Sequence, residues 1–301
     1  MNKSANAQTK RTGGRSLLTE LLITSRPVSW VNTAFPFAAA YILTTGTVDW
    51  HLVLGTLYFL IPYNFAMYGI NDVFDYESDI LNPRKGGTEG AVLDRRLHRT
   101  TLLAVLGTNV PLLAYLALSG TWGSTAVLTL SIFAVVAYSA PGLRFKERPF
   151  IDSATSSFHF VSPALFGLAY EGATYTPALV GVLTAFFLWG MASHAFGAVQ
   201  DIVSDRSGNV GSVGTVLGAG TTVWLSFGAY GLAGILMLPT GWPAALGALL
   251  ALPYMANVWP YRSVSDEYSG RAHAGWKRFL LLNYATGFLV TMLLIWYASV
   301  R

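Results

Sequence analysis

The sequence predicts an all-α integral membrane protein whose nine transmembrane helices form one bundle, and three observations carry that expectation. Of 301 residues, 53% are hydrophobic and 11% charged, and the mean hydropathy is +0.47, far from the balance of a water-soluble domain. Apolar stretches long enough to cross a hydrocarbon core of about 30 Å recur along the whole chain. The basic residues fall almost entirely on one side of those stretches.

In chain order, residues 1–16 are polar and basic, with Gly13-Gly14, and read as a disordered tail ahead of a single domain over 17–301. The first span is 28–46; it is long and further spans follow, so it is expected to stay as a helix and not be cleaved as a leader. The second span, 50–70, runs into an acidic segment at 71–79. Spans three and four are 100–118 and 122–140, and spans five and six are 153–170 and 177–198. A second acidic segment, 201–205, follows the sixth. Spans seven to nine are 217–237, 242–260 and 278–298.

Charge tests this count. Lys3, Lys10, Arg11, Arg15 and Arg26 precede span one, and Arg84, Lys85, Arg95, Arg96 and Arg99 lie between spans two and three. Arg144, Lys146 and Arg148 follow span four, Arg206 follows span six, and Arg262, Arg271, Lys277 and Arg278 surround the last connection. Of 19 basic residues only Arg301 falls on the other side, and the loops 45–49, 119–124, 171–176 and 239–243 hold no Lys or Arg. A wrong count would scramble that segregation. The expected topology therefore has a cytoplasmic N-terminus and an outside C-terminus in the cell membrane. The net charge of +4 follows from topology and implies no nucleic-acid partner. With no cysteine, disulfides, thiolate metal sites and cysteine nucleophiles are excluded.

The acidic segments, NDVFDYESD at 71–79 and DIVSD at 201–205, lie at cytoplasmic ends of spans separated by four helices. An even number of spans gives both the same orientation, hence two parallel four-helix units plus a ninth helix. Inverted-repeat transporters would place equivalent segments in opposite orientations, with acids near the midplane. The cytoplasmic connections are the long ones. Residues 82–90, with Gly86-Gly87 and Gly90, and 207–220, with five glycines, are long enough to close over a ligand.

Two carboxylates at about 5 Å repel by roughly 3 kcal/mol at an effective dielectric near 20, so such segments need cations. On a helix Asp72, Asp75 and Asp79 share a face, as do Asn71 and Asp75, while Glu77 points away to solvent. Asp201 and Asp205 are one turn apart, and His194, Gly197 and Ala198 precede Asp201 on the same face, the small residues leaving room for a substrate. Oxygen donors of this kind suit Mg²⁺, which is commonly held by one or two carboxylates together with substrate phosphates.

The pattern N-D-x-x-D-x-x-x-D after span two, D-x-x-x-D after span six and the nine-helix layout resemble the UbiA-type intramembrane prenyltransferases over nearly the whole chain. Residues 71–87 (NDVFDYESDILNPRKGG) and 193–202 (SHAFGAVQDI) resemble the lycopene elongases of that superfamily. Residues 83–87 (PRKGG) replace the Arg-Thr-x-x-Arg-Pro-like run of many members that prenylate aromatic acids. The run 138–146 (YSAPGLRFK) is similar to the family's segment after helix four.

The resemblance implies Mg²⁺ at Asn71, Asp72, Asp75, Asp79, Asp201 and Asp205, with the five aspartates essential to catalysis. It implies a diphosphate held by Arg84, Lys85, Arg144, Lys146 and Arg206, with Tyr138, His194 and Gln200 beside the substrate. Asn64 and Tyr68 are candidate wall residues. The donor would be an allylic diphosphate, dimethylallyl diphosphate in the elongases, and the acceptor the end of lycopene. An aromatic acid, a quinone precursor, a glycerol-phosphate lipid, or a cation-coupled transport function are the alternatives.

Overall fold

The computed structural model describes residues 16–81 and 92–300, and the described residues form helices and turns without strands. A short helix, α1 (Leu17–Thr24), is capped by the Ser16 side chain and leads into α2 (Val31–Thr45). The second expected span is two helices in line, α3 (Trp50–Leu60) and α4 (Pro62–Phe74), continued by α5 (Tyr76–Leu81). Then come α6 (His98–Ser119), α7 (Trp122–Ser139), α8 (Ile151–Tyr170), α9 (Pro177–Val199), α10 (Ile202–Ser207), α11 (Val213–Leu217), α12 (Ala219–Met237), α13 (Ala251–Val258) and α14 (His273–Ser299). The expected tail and the glycine-bearing stretch with Arg84 and Lys85 lie almost wholly outside the described residues.

Among the described residues six helical stretches are long and apolar enough to cross a membrane: Trp50–Phe74, Arg95–Ser119, Trp122–Ser139, Pro177–Val199, Ala219–Thr240 and Asp266–Ser299. This is a multi-pass membrane protein. Three of the nine expected spans depart from that simple form, each for a physical reason. The first opens with a 3-10 turn, Pro27–Ser29, which leaves α2 with 15 residues. The fifth, α8, is long enough but polar, because it is enclosed: Asp152, Ser153, Thr155, Ser157, His159 and Ser162 are all buried. The eighth is split into a 3-10 segment, Ala244–Leu250, and the short α13.

The break between α3 and α4 falls at Ile61, before Pro62. Proline lacks the amide proton a helix interior needs and its ring crowds the preceding turn. The carbonyls around the break are satisfied by side chains instead. Thr33 Oγ1 donates to Phe59 O at 2.7 Å, Asn64 Nδ2 to Phe59 O and Leu60 O at 2.9 and 3.1 Å, and Asn109 Nδ2 to Pro62 O at 2.9 Å.

Lipid is as apolar as leucine, so helices in a membrane are held by close packing and hydrogen bonds more than by water exclusion. Two apolar cores result. One gathers Phe37, Tyr41, Phe59, Tyr63 and Phe166 from α2, α3, α4 and α8; the other gathers Phe196, Val223, Tyr230, Tyr254 and Phe279 from α9, α12, α13 and α14. Enclosed between α7 and α9, α8 joins them. Where α8 meets α9, a Cβ on Gly190 would lie 2.3 Å from the Ser157 hydroxyl, so only glycine permits the approach. Ser157 uses that proximity to donate to Phe187 O at 2.6 Å.

Candidate active site

The first acidic segment lies where α4 ends. Carboxylates at a helix C-terminus oppose its dipole, which makes Asp72 and Asp75 costly there without cations. The fold supplies them from distant segments. Arg26, between α1 and α2, pairs with Asp72 at 2.8 Å and lies 4.2 Å from the Tyr68 ring centroid. Lys146, after α7, pairs with Asp75 at 2.6 Å, and Arg144 approaches it at 3.7 Å. Asn71 Nδ2 donates to the Asp75 carboxylate and, at 2.8 Å, to Ser139 Oγ. Asp72, Asp75 and Asp79 are all buried.

Burial pushes the Asp75 carboxyl above its ordinary value, with Lys146 the chief opposing influence. Glu147 moves the other way, held low first by its hydrogen bond from Arg144. Arg26 and Arg144 also share a backbone feature: both have positive φ, at 50° and 41°. Left-handed backbone at a non-glycine residue costs on the order of 1–3 kcal/mol and persists only where surroundings enforce it. Here it aims two guanidinium groups at one acidic cluster.

The expected continuous helix through Asp79 is corrected: Asp75 caps α4, and the chain restarts as α5, whose first turn holds Glu77 and Asp79 with a favourable dipole. Glu77 is exposed and paired with Arg95, as expected of a solvated residue. Asn64 is fully buried, its amide donating to Thr33 Oγ1 and the carbonyls of the helix break.

Tyr138 and Ser139, the last residues of α7, connect this cluster to the second half. Ser139 meets Asn71, while the Tyr138 hydroxyl is 3.1 Å from His194 Nε2 on α9. The other nitrogen, His194 Nδ1, is 3.1 Å from Ser153 Oγ on α8.

At the second segment Asp201 and Asp205 are half-buried around the start of α10. Gly197 does not leave substrate room, since a Cβ there would meet the Trp276 ring at 2.9 Å. Gln200 spans from Gly197 O to His273 Nδ1, the latter at 2.6 Å. Arg206 is engaged away from the first cluster, pairing with Asp266 at 2.7 Å and donating to Thr215 O at 2.8 Å. The connection expected as a second lid holds α11 and is tied down. Val213 N and Ala219 N donate to Asp152 and Asp266 at 2.8 and 2.6 Å.

Sequence reading missed Arg26, Ser139, Asp152, Ser153, Asp266 and His273 as site or supporting residues. Arg26 had a signal, a cation directly before Pro27 at a helix entrance, but positive-inside topology accounted for it equally well. The partners of the others are set by the fold.

Among the described residues, no three His, Cys, Asp or Glu side chains converge to hold a metal ion. Asp72 pairs with Arg26, and Asp75 with Lys146 and Arg144. The donor set is nonetheless all oxygen, and one or two carboxylates suffice for Mg²⁺ when phosphate oxygens complete its shell, so these residues fit that ion in donor chemistry.

The described residues thus form a polytopic helical bundle with buried carboxylates and their paired cations at the end of α4. The chain belongs to the UbiA prenyltransferase family, whose model matches residues 33–283, and it is a prenyltransferase. It is 55% identical over 288 residues to the C(50) beta-cyclic carotenoids biosynthesis protein LbtBC of Dietzia sp. (strain CQ4), covering 95% of this chain and 67% of that protein. It is 51% identical over 275 residues to the lycopene elongase/hydratase of Corynebacterium glutamicum, covering 91% and 96%. Among solved structures, the UbiA homolog from Archaeoglobus fulgidus bound to DMAPP and Mg²⁺ superposes with a TM-score of 0.65 at 18% identity, covering 89% of this chain and 98% of that one. Family membership replaces the transport alternative.

Proposed function

We propose that this prenyltransferase moves a dimethylallyl group from dimethylallyl diphosphate to the end of lycopene, with Mg²⁺, at a site facing the cytoplasm. The observation that carries the diphosphate chemistry is the cluster at the end of α4, where Arg26, Arg144 and Lys146 converge on Asp72 and Asp75. The acceptor assignment is supported by the similarity to the lycopene elongase/hydratase of Corynebacterium glutamicum. The cytoplasmic orientation is supported by the one-sided basic residues.

In this reading Asp72, Asp75, Asp79, Asp201 and Asp205, with Asn71, would hold the metal, and Arg84 and Lys85 would add to the diphosphate contacts. Bound Mg²⁺ would supply Lewis-acid stabilisation of the leaving group. Arg26, Arg144 and Lys146 exchange their carboxylate partners for diphosphate oxygens; arginine can do so through two parallel hydrogen bonds. The allylic C–O bond breaks, and its electron pair leaves on pyrophosphate as these cations offset the developing charge. An alkene of the acceptor donates its pair to the allylic carbon, forming a C–C bond and a tertiary cation. Loss of a proton, or addition of water and then loss of a proton, completes the reaction. In this reading His194, held between Tyr138 and Ser153, receives that proton.

The test is incubation of membranes containing the protein with Mg²⁺, labelled dimethylallyl diphosphate and lycopene, followed by chromatography. Label in a carotenoid larger by one or two five-carbon units is the expected result. Labelling of an aromatic acid in place of lycopene would overturn the acceptor assignment.

A further inference from the structure

We propose that the groove between α13 and α14 binds one anionic phospholipid, with Arg278 holding the phosphate and the apolar wall an acyl chain. The groove has a volume of about 480 Å³; its walls include Pro253 and Asn257 from α13 and Arg278, Leu281, Leu282 and Ala285 from α14. It is separate from the acid–base cluster at the end of α4.

Three features point to that occupant. Arg278 is exposed, and among the described residues no carboxylate pairs with it, so its charge is available to a ligand. Asn257 is only 7% exposed; its Nδ2 donates to Gly275 O at 3.0 Å, while its Oδ1, also buried, has no hydrogen-bond partner among the described residues. A buried acceptor lining a groove calls for a donor, and a hydroxyl on a glycerol headgroup provides one. Depth agrees as well. His273, at the start of α14, bonds Gln200 next to the second acidic segment, and Arg278, five residues on, lies about 7.5 Å further along the helix, near that polar end.

The surrounding surface suits lipid and not solvent. Leu281 is 70% exposed and Phe288 63% exposed on the outer face of α14. A neutral lipid would fill the apolar part equally well, so it is the guanidinium that makes the site selective for an anion.

The test is native mass spectrometry of the full-length protein in mild detergent, titrated with equimolar phosphatidylglycerol and phosphatidylcholine. Wild type is expected to retain phosphatidylglycerol about fivefold over phosphatidylcholine, the scale of one basic residue near a lipid surface. Arg278→Gln should remove that preference, and Lys277→Gln, beside it but outside the groove, should keep it. Ala285→Trp, which fills the groove, should lower retention of both lipids. Equal retention by wild type, or equal loss in the Lys277 and Arg278 variants, would overturn the proposal, the latter by showing a general basic belt.

Discussion

The Tyr138 hydroxyl and Nε2 of His194 lie 3.1 Å apart, and Ser153 holds the other ring nitrogen at the same distance, so one imidazole joins α7, α8 and α9. The next residue, Ser139, touches Asn71 of the first acidic segment. Two adjacent residues thus couple the acid–base cluster to the helix that leads into Asp201.

Tyr138→Phe keeps the ring and deletes the hydroxyl. A hydrogen bond of this kind is worth about 1 kcal/mol net, so turnover is expected to fall roughly fivefold through loosened orientation of His194. The melting temperature should hardly move. Steady-state rates alongside thermal melts check this, and an unchanged rate would remove the imidazole from the mechanism.

Arg26→Gln leaves the buried Asp72 carboxylate facing a neutral group. Breaking such a pair is expected to cost about 3 kcal/mol, toward the low end because Arg26 retains some solvent access. Adding Asp72→Asn should recover part of the stability, since it removes the buried charge that Arg26 faced, but not the turnover. A double-mutant cycle with both readouts separates the two roles. Recovery of turnover in the double variant would argue that the pair is structural only.

Gly190→Ala drives a methyl group into Ser157 across the α8–α9 contact. Overpacking of a tight interface costs about 1–3 kcal/mol. Ser157→Gly in the same chain should relieve most of it, despite losing the bond to Phe187 O. Thermal unfolding in detergent would show the loss and the rescue; a harmless single variant would mean that the helices can move apart.

Glu147 gives a signed pH dependence. Its carboxyl is held below its ordinary value of 4.5 by the hydrogen bond from Arg144, so the pair contributes stability above that value and loses it as pH falls through the lower folded value. Glu147→Gln should be less stable than wild type at pH 6, by less than about 1 kcal/mol for a partly exposed pair. The two melting curves should converge once pH has fallen below the lowered folded value. Parallel curves at all pH values would exclude this pair as the cause.

Much of the architecture is legible locally. Hydropathy places the apolar rods, because every span must match one bilayer thickness whatever its neighbours are. It fails where a helix is shielded from lipid: enclosure by protein removes the requirement for apolar side chains from α8, so Ser153, Ser157 and His159 can occupy its buried surface. Hydropathy is also blind to the break at Ile61, since proline changes backbone hydrogen bonding without changing polarity.

The acidic segments and the identity of Lys146 and Arg144 as candidate partners could likewise be read from residue type and position along the chain. The cation on Asp72 could not, because Arg26 lies 46 residues away and meets it only when α1 packs against α4. The same holds for Arg206, which satisfies Asp266 across the loop to α14. Sequence by itself determined a polytopic helical membrane protein with two acidic segments, because those properties are sums over residues. Tertiary structure decided which cation neutralises which carboxylate and which glycine gap is filled by an aromatic ring. Those outcomes depend on distances of a few ångströms between helices remote in the chain, and electrostatic and packing energies change steeply over that range.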